Sequence, residues 1–132
     1  MNSLNEIIKR EKLEKIFWMM DSNLLKNAQS CGCCNNTLVL SKPNRCKDNI
    51  GWRCYNSKCI KFCEWTSIRS CSFFSDFNID LKELLKAIYF WCNNTLSSDI
   101  IKHVKISKNV ITKLKGLLLT KIETYFLIIL SY

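Results

Sequence analysis

The chain has 132 residues, with 20 Lys and Arg against 11 Asp and Glu, a formal net charge of +9, and 48% hydrophobic residues. That length holds one ordinary domain or two very small ones and excludes a large enzyme, while the apolar content excludes a disordered tail. Three glycines and one proline leave no room for a glycine-rich phosphate-binding loop or a flexible linker.

At the amino end, Leu4, Ile7 and Ile8, then Leu13, Ile16, Phe17, Met20 and Leu24 recur at intervals of three and four. This spacing predicts one or two amphipathic helices in an arm over residues 1–29. The opening string MNSLNEIIKREKLEKIF is too charged for a signal peptide. The greasy ending GLLLTKIETYFLIILSY is broken by Lys121 and Glu123, so no membrane partner is expected. An intracellular location, nuclear if the source is eukaryotic, is the expectation.

Nine cysteines stand at 31, 33, 34, 46, 54, 59, 63, 71 and 92. An odd number in a reducing compartment points to metal ligands and buried thiols rather than a disulfide framework. Tetrahedral structural zinc takes four soft ligands from two short Cys-x(2 to 4)-Cys turns. CGCC supplies Cys31 and Cys34, with Cys33 as a stand-in for the first ligand, and CYNSKC supplies Cys54 and Cys59. Nineteen residues lie between Cys34 and Cys54, enough for a hairpin of TLVL and GWRC. Residues 30–72 are therefore expected to form a zinc ribbon holding one structural ion. Cys46, Cys63, Cys71 and Cys92 are given no ligand role, with Cys63 a reserve for Cys59.

Beyond the cysteines, Leu81, Leu84, Leu85, Ile88 and Trp91 repeat the helical interval, with Asp80 or Asn78 as cap. SSDIIKHV follows with Ser97 or Ser98 as cap, and SKNVITKLKGLLLTKI with Ser107. Three helices joined by short turns over residues 73–132 are the footprint of a helix-turn-helix unit. The fold class expected for the whole chain is α+β: helical arm, small β-hairpins, then three helices.

Charge is uneven. Residues 30–72 hold seven basic and two acidic groups, and six lysines lie between Asp99 and Glu123 with no carboxylate among them. In a helix-turn-helix the second helix of the motif enters the major groove of double-stranded DNA. Lys108, Asn109, Thr112 and Lys113 are expected on its first turns, with Val110, Ile111 and Leu114 towards the core. Asn reads adenine bidentately, and Lys reaches guanine or phosphate. Lys102, Lys105 and Lys115 are expected phosphate contacts, supplemented from the ribbon by Lys47, Arg53, Lys58 and Lys61. Trp52 and Trp65 read as packing residues. His103 is the sole histidine and lies far in sequence from the cysteines, and Asp76, Asp80, Glu83 and Asp99 read as helix starts and a solvated face. No catalytic residue is expected.

The ordered segments RCKDNIGWRCYNSKC, SIRSCSFF and FNIDLKELLKAIYFW, followed by the helix-turn-helix pattern, resemble the amino-terminal region of Merlin-type DNA transposases and related bacterial insertion-sequence transposases. KIFWMMDSNLLKNAQSC also looks like that family's lead-in, so the resemblance covers roughly residues 12 to 120. It implies that Cys31 or Cys33 with Cys34, Cys54 and Cys59 are zinc ligands, that Trp52 and Arg53 precede the second knuckle, and that Ser67, Ile68 and Arg69 form a closing strand. Phe73 and Phe74 match the aromatic pair leading into the first helix, and Ile88 to Trp91 its apolar end.

Departures from that pattern are Asn35 and Asn49 where glycines are usual, Lys105 in the turn where Gly or Asn is favoured, and Gly116 within the third helix. The family's RNase H-like domain, with three acidic ligands for two metal ions, would begin about where this chain stops. The resemblance thus implies a truncated DNA-binding fragment that recognises transposon-end DNA without transposition chemistry. The alternative readings are a protein-interaction or homo-oligomerising module, built on the amino-terminal helix and the LLLTKIETYFLIIL tail, or a non-functional relic of a transposable element. In either, the run Phe126 to Leu130 is an apolar surface awaiting cover.

Overall fold

The computed structural model describes residues 4–42 and 48–130, the last seven of these by backbone alone. Cys46, Lys47 and the side chains of Phe126 to Leu130 therefore lie outside the described residues. Five helices and a three-stranded antiparallel sheet are present among those described, α+β as expected: α1 Leu4–Ile8, α2 Lys12–Asp21, β1 Val39–Ser41, β2 Gly51–Arg53, β3 Trp65–Ser67, α3 Leu81–Cys92, α4 Ser97–His103 and α5 Lys108–Leu130. None of the described helices is long and apolar enough to cross a membrane. The chain folds as two compact units, Lys9–Asn78 and the combination of Met1–Ile8 with Ile79–Tyr132. The arm expected over 1–29 is thus shared between them.

In the Lys9–Asn78 unit, α2 buries Ile16, Met19 and Met20. It ends where the Ser22 N–H turns back to Trp18 O and the Asn23 N–H to Met20 O, with Asn23 at a left-handed φ of 63°, a conformation Asn adopts at lower cost than most residues. The sheet runs β1-β2-β3, with Val39, Arg53 and Trp65 in one cross-strand row and Leu40, Trp52 and Thr66 in the next. Successive residues point to opposite faces. Trp52 is buried while Val39 and Trp65 are exposed, so the sheet has one covered and one open side. The closing strand lies two residues earlier than expected: Ile68 and Arg69 follow it. Both are buried, Ile68 as core and Arg69 in an ion pair, in a turn where the Ser70 N–H reaches back to Ser67 O at 3.1 Å and the Arg69 N–H to Ser67 Oγ at 3.1 Å. Phe74 is fully buried between the edges of Phe73 and Phe77.

In the other unit, the Asp80 side chain caps α3 by accepting the Lys82 N–H at 2.9 Å, and Leu81, Leu84, Leu85, Ala87 and Ile88 form its buried stripe. α1 packs on α3 and buries Ile7 and Ile8. α4 starts without a side-chain cap: Leu96 holds the cap position and both serines lie inside the helix, where the Ser97 hydroxyl accepts from the Lys115 ammonium. Ser107 does cap α5, receiving the Val110 N–H at 3.4 Å. Between α4 and α5, Val104 and Ile106 are buried and Lys105 is exposed. Lys105 is not among the left-handed residues, so this turn needs no glycine; its N–H is held by the Glu83 carboxylate at 3.1 Å.

Candidate metal centre

The first knuckle is a tight turn closed by the Ser30–Thr37 bridge. The Cys31 N–H donates to Asn36 O at 2.9 Å and the Asn35 N–H to Cys31 O at 3.0 Å. Asn35 sits at φ 58°, the left-handed position a knuckle glycine usually fills, and Asn49 likewise takes 57° before β2. Both substitutions keep the backbone the turn requires.

The second knuckle leaves the end of β2. Asn56 Oδ1 accepts the Lys58 N–H at 3.1 Å and Asn56 O accepts the Cys59 N–H at 3.0 Å, which folds the four intervening residues into a compact loop. Cys63 closes it: at φ 66° its N–H reaches Cys54 O at 2.8 Å. Cys63 therefore serves through its backbone and lies outside the thiol cluster, as does the exposed Cys33.

These turns bring Cys31, Cys34, Cys54 and Cys59 together, with all four sulfurs within 4.8 Å of one another. Cys31 Sγ to Cys59 Sγ and Cys34 Sγ to Cys54 Sγ are each 3.8 Å. The centre of a regular tetrahedron with 3.8 Å edges lies about 2.3 Å from every corner, the length of a bond from zinc to a thiolate; the remaining separations, up to 4.8 Å, make this one somewhat wider. The four side chains can hold a metal ion. Of the two candidates for the first position, Cys31 lies in this cluster and Cys33 lies outside it.

The turns also prepare the sulfurs as anions. The Cys33 N–H points at Cys31 Sγ from 3.5 Å and the Lys61 N–H at Cys59 Sγ from 3.3 Å. Backbone N–H groups of Cys34 and Cys33 bring the Cys31 thiol down to about 6, and those of Asn36, helped by the Asn56 side chain, lower Cys34. At Cys59 the Lys61 N–H also lowers the pKa, but burial and the three neighbouring sulfurs outweigh it and push the thiol to about 12. At Cys54 the Asn56 N–H and the Cys59 sulfur lower the pKa, but burial and the Cys34 and Cys31 sulfurs outweigh them and move it up. Four crowded sulfurs cannot all be thiolates without a cation between them.

A buried pair supports the sheet beside this centre. Arg69 forks onto Asp48, with Nε to Oδ2 at 2.9 Å and Nη2 to Oδ1 at 2.8 Å, and its Nη1 donates to Phe77 O at 2.8 Å. The two partners are 21 residues apart, so no local pattern announces the contact.

The helix-turn-helix residues are placed as follows. Ile111 and Leu114 are buried and Val110 is half-buried, while Lys108, Asn109, Thr112 and Lys113 are exposed on the first turns of α5. Lys102 is exposed and meets Asp99 at 3.5 Å, a surface pair of little net worth. Lys105 is exposed. Lys115 departs from expectation: its ammonium is engaged by Ser97 and partly buried, so it braces α4 against α5. His103 stacks on Phe90 at 5.2 Å. In the ribbon, Lys58 and Lys61 are exposed and Trp52 is buried. Compared with known families, curated proteins and solved structures, the chain has no match.

Proposed function

We propose that the chain is a zinc-organised DNA-binding module, similar in layout to the amino-terminal part of a transposase, which grips double-stranded DNA without cutting it. The observation that carries the DNA reading is the division of α5: Ile111 and Leu114 face inward while Lys108, Asn109, Thr112 and Lys113 are displayed together. A helix held this way offers its first turns to a major groove, Asn109 to a base edge and the lysines to phosphates. Lys102 and Lys105 add charge from the neighbouring helix and turn. Zinc is the metal favoured by an all-thiolate tetrahedral set in a closed structural site, and the resemblance to the transposase zinc ribbon supports the same choice.

The test is a duplex titration with the full chain. With about four lysine–phosphate contacts, affinity falls roughly a hundredfold as salt rises fourfold, and Lys108→Ala/Lys113→Ala weakens it further. Affinity no better than that of an unrelated protein of equal charge dismisses the reading. Counting bound zinc, one atom per chain against none, tests the metal separately.

A further inference from the structure

The open side of the sheet carries a second chemistry, and it does not depend on the duplex reading above. Arg53 and Trp65 are cross-strand partners, so their side chains share a face. The Arg53 guanidinium lies over the Trp65 ring at 4.8 Å and over the Tyr55 ring at 5.4 Å. Tyr55 is fixed in turn by its hydroxyl, 3.1 Å from that of Ser41. Both rings are well exposed for aromatics, Tyr55 at 51% and Trp65 at 37%. Among the described residues no carboxylate pairs with Arg53, and its Nε is buried with no hydrogen-bond partner. An arginine stacked on two rings with no carboxylate partner among the described residues keeps its charge for something that arrives.

Trp65 also borders a hollow of about 250 Å³ lined by Gln29, Lys61, Glu64 and Thr66 among others. Ordinary ligand pockets run from about 300 Å³ upward, so this one suits a single small ring system. Lys61 and Glu64 both line it, together with the clustered Cys31 and Cys54, and exposed Lys58 follows on the adjoining loop.

We propose that Arg53, Tyr55 and Trp65 form a stacking platform for an unpaired nucleotide, so that this unit binds single-stranded nucleic acid. Exposed rings interleaved with cations are what unpaired bases recognise: the ring takes the base face and the cation takes the phosphate. Bases inside a duplex hide those faces, which separates this surface from the groove-reading helix. A carboxylate-rich peptide would use the charge and leave the rings idle.

The experiment titrates the full, zinc-loaded chain with a short oligothymidine strand and an oligouridine strand, following tryptophan fluorescence, with the matching duplex and polyglutamate as competitors. Saturable quenching is expected, with Trp65→Ala weakening strand binding by about 5- to 150-fold and Trp65→Phe restoring most of it. Arg53→Gln weakens it while leaving the zinc count unchanged, which keeps the test valid if Trp65→Ala disturbs the sheet. A preference between the two strands assigns DNA or RNA. Absent quenching, equal affinity of Trp65→Ala, Trp65→Phe and the parent chain, or equal competition by polyglutamate overturns the proposal. Lys108→Ala/Lys113→Ala should leave strand binding intact while weakening duplex binding; a parent chain that binds the strand but no duplex defeats the earlier reading and spares this one.

Discussion

The two units are stabilised by different means. The α1/α3–α5 unit rests on ordinary apolar burial: Leu84, Leu85, Ile100, Ile111 and Leu114 are almost wholly removed from water, on elements whose stripes repeat at three and four. The Lys9–Asn78 unit has three strands of three residues each. It adds four clustered sulfurs and a buried ion pair to an apolar core in which Ile16, Met19, Leu25, Ile68 and Phe74 are almost wholly removed from water. Strands this short hold little together by themselves, so an ion between the four sulfurs, as proposed above, would tie the cysteine loops where the neighbouring unit has hydrophobic contacts alone.

Removing the metal separates the two most sharply. Structural zinc supplies about 10–16 kcal/mol in small zinc-dependent domains, so a chelator or Cys54→Ser should unfold the Lys9–Asn78 unit. Far-ultraviolet circular dichroism should keep most of its helical signal, because α3, α4 and α5 lie in the other unit; joint loss of both would erase the contrast. Next in size is Arg69→Ala, which strands the Asp48 carboxylate in the interior and should cost about 3–5 kcal/mol in urea unfolding of the zinc-loaded chain. The joint replacement Asp48→Leu/Arg69→Met should recover most of that loss. Leu85→Ala attacks the helical unit instead, at about 2–5 kcal/mol, and should leave the zinc count at one.

Acid sharpens the same contrast. Cys54 and Cys59 are held up and keep their protons near neutrality, so metal entry expels at least those two. Proton competition then lowers apparent zinc affinity about a hundredfold for each unit the pH falls, and more steeply once Cys31 also takes up a proton near its pKa of about 6. Competition with a chromophoric chelator across pH reads this slope; a flat profile would mean that the sulfurs are not the ligands. The smallest effect is a gain. A Cβ at Gly116 meets nothing within 4 Å, so Gly116→Ala should raise the stability of the helical unit by about 1 kcal/mol, visible as a higher melting temperature without a change in metal content.

Local chemistry was legible in the sequence. The cysteine spacing picked out the four clustered sulfurs, the apolar stripes gave α2, α3, α4 and the start of α5, and Asp80 and Ser107 cap as their residue types suggest. Asn35 and Asn49 were readable as left-handed positions because asparagine bears that backbone at low cost. What escaped depends on distant partners. Asp48 and Arg69 look like two unrelated surface charges until the sheet brings them together. Lys115 looks like any solvated lysine, yet Ser97 claims it from 18 residues away. Trp65 read as packing because an aromatic in a strand normally is; only the pairing of β2 with β3 reveals that it shares its face with Arg53.

The association of α1 with α3 has a kinetic side. Residues 9–78 form one long excursion between two pieces that must meet, and closing a loose loop costs more as it lengthens, though only about 0.6 kcal/mol per doubling. During synthesis α1 emerges first and must wait for some seventy residues before its partner exists. A metal-clipped excursion is a far shorter tether than a floppy one, so zinc supply should set how quickly the amino-terminal helix finds its seat as well as whether the sheet holds together.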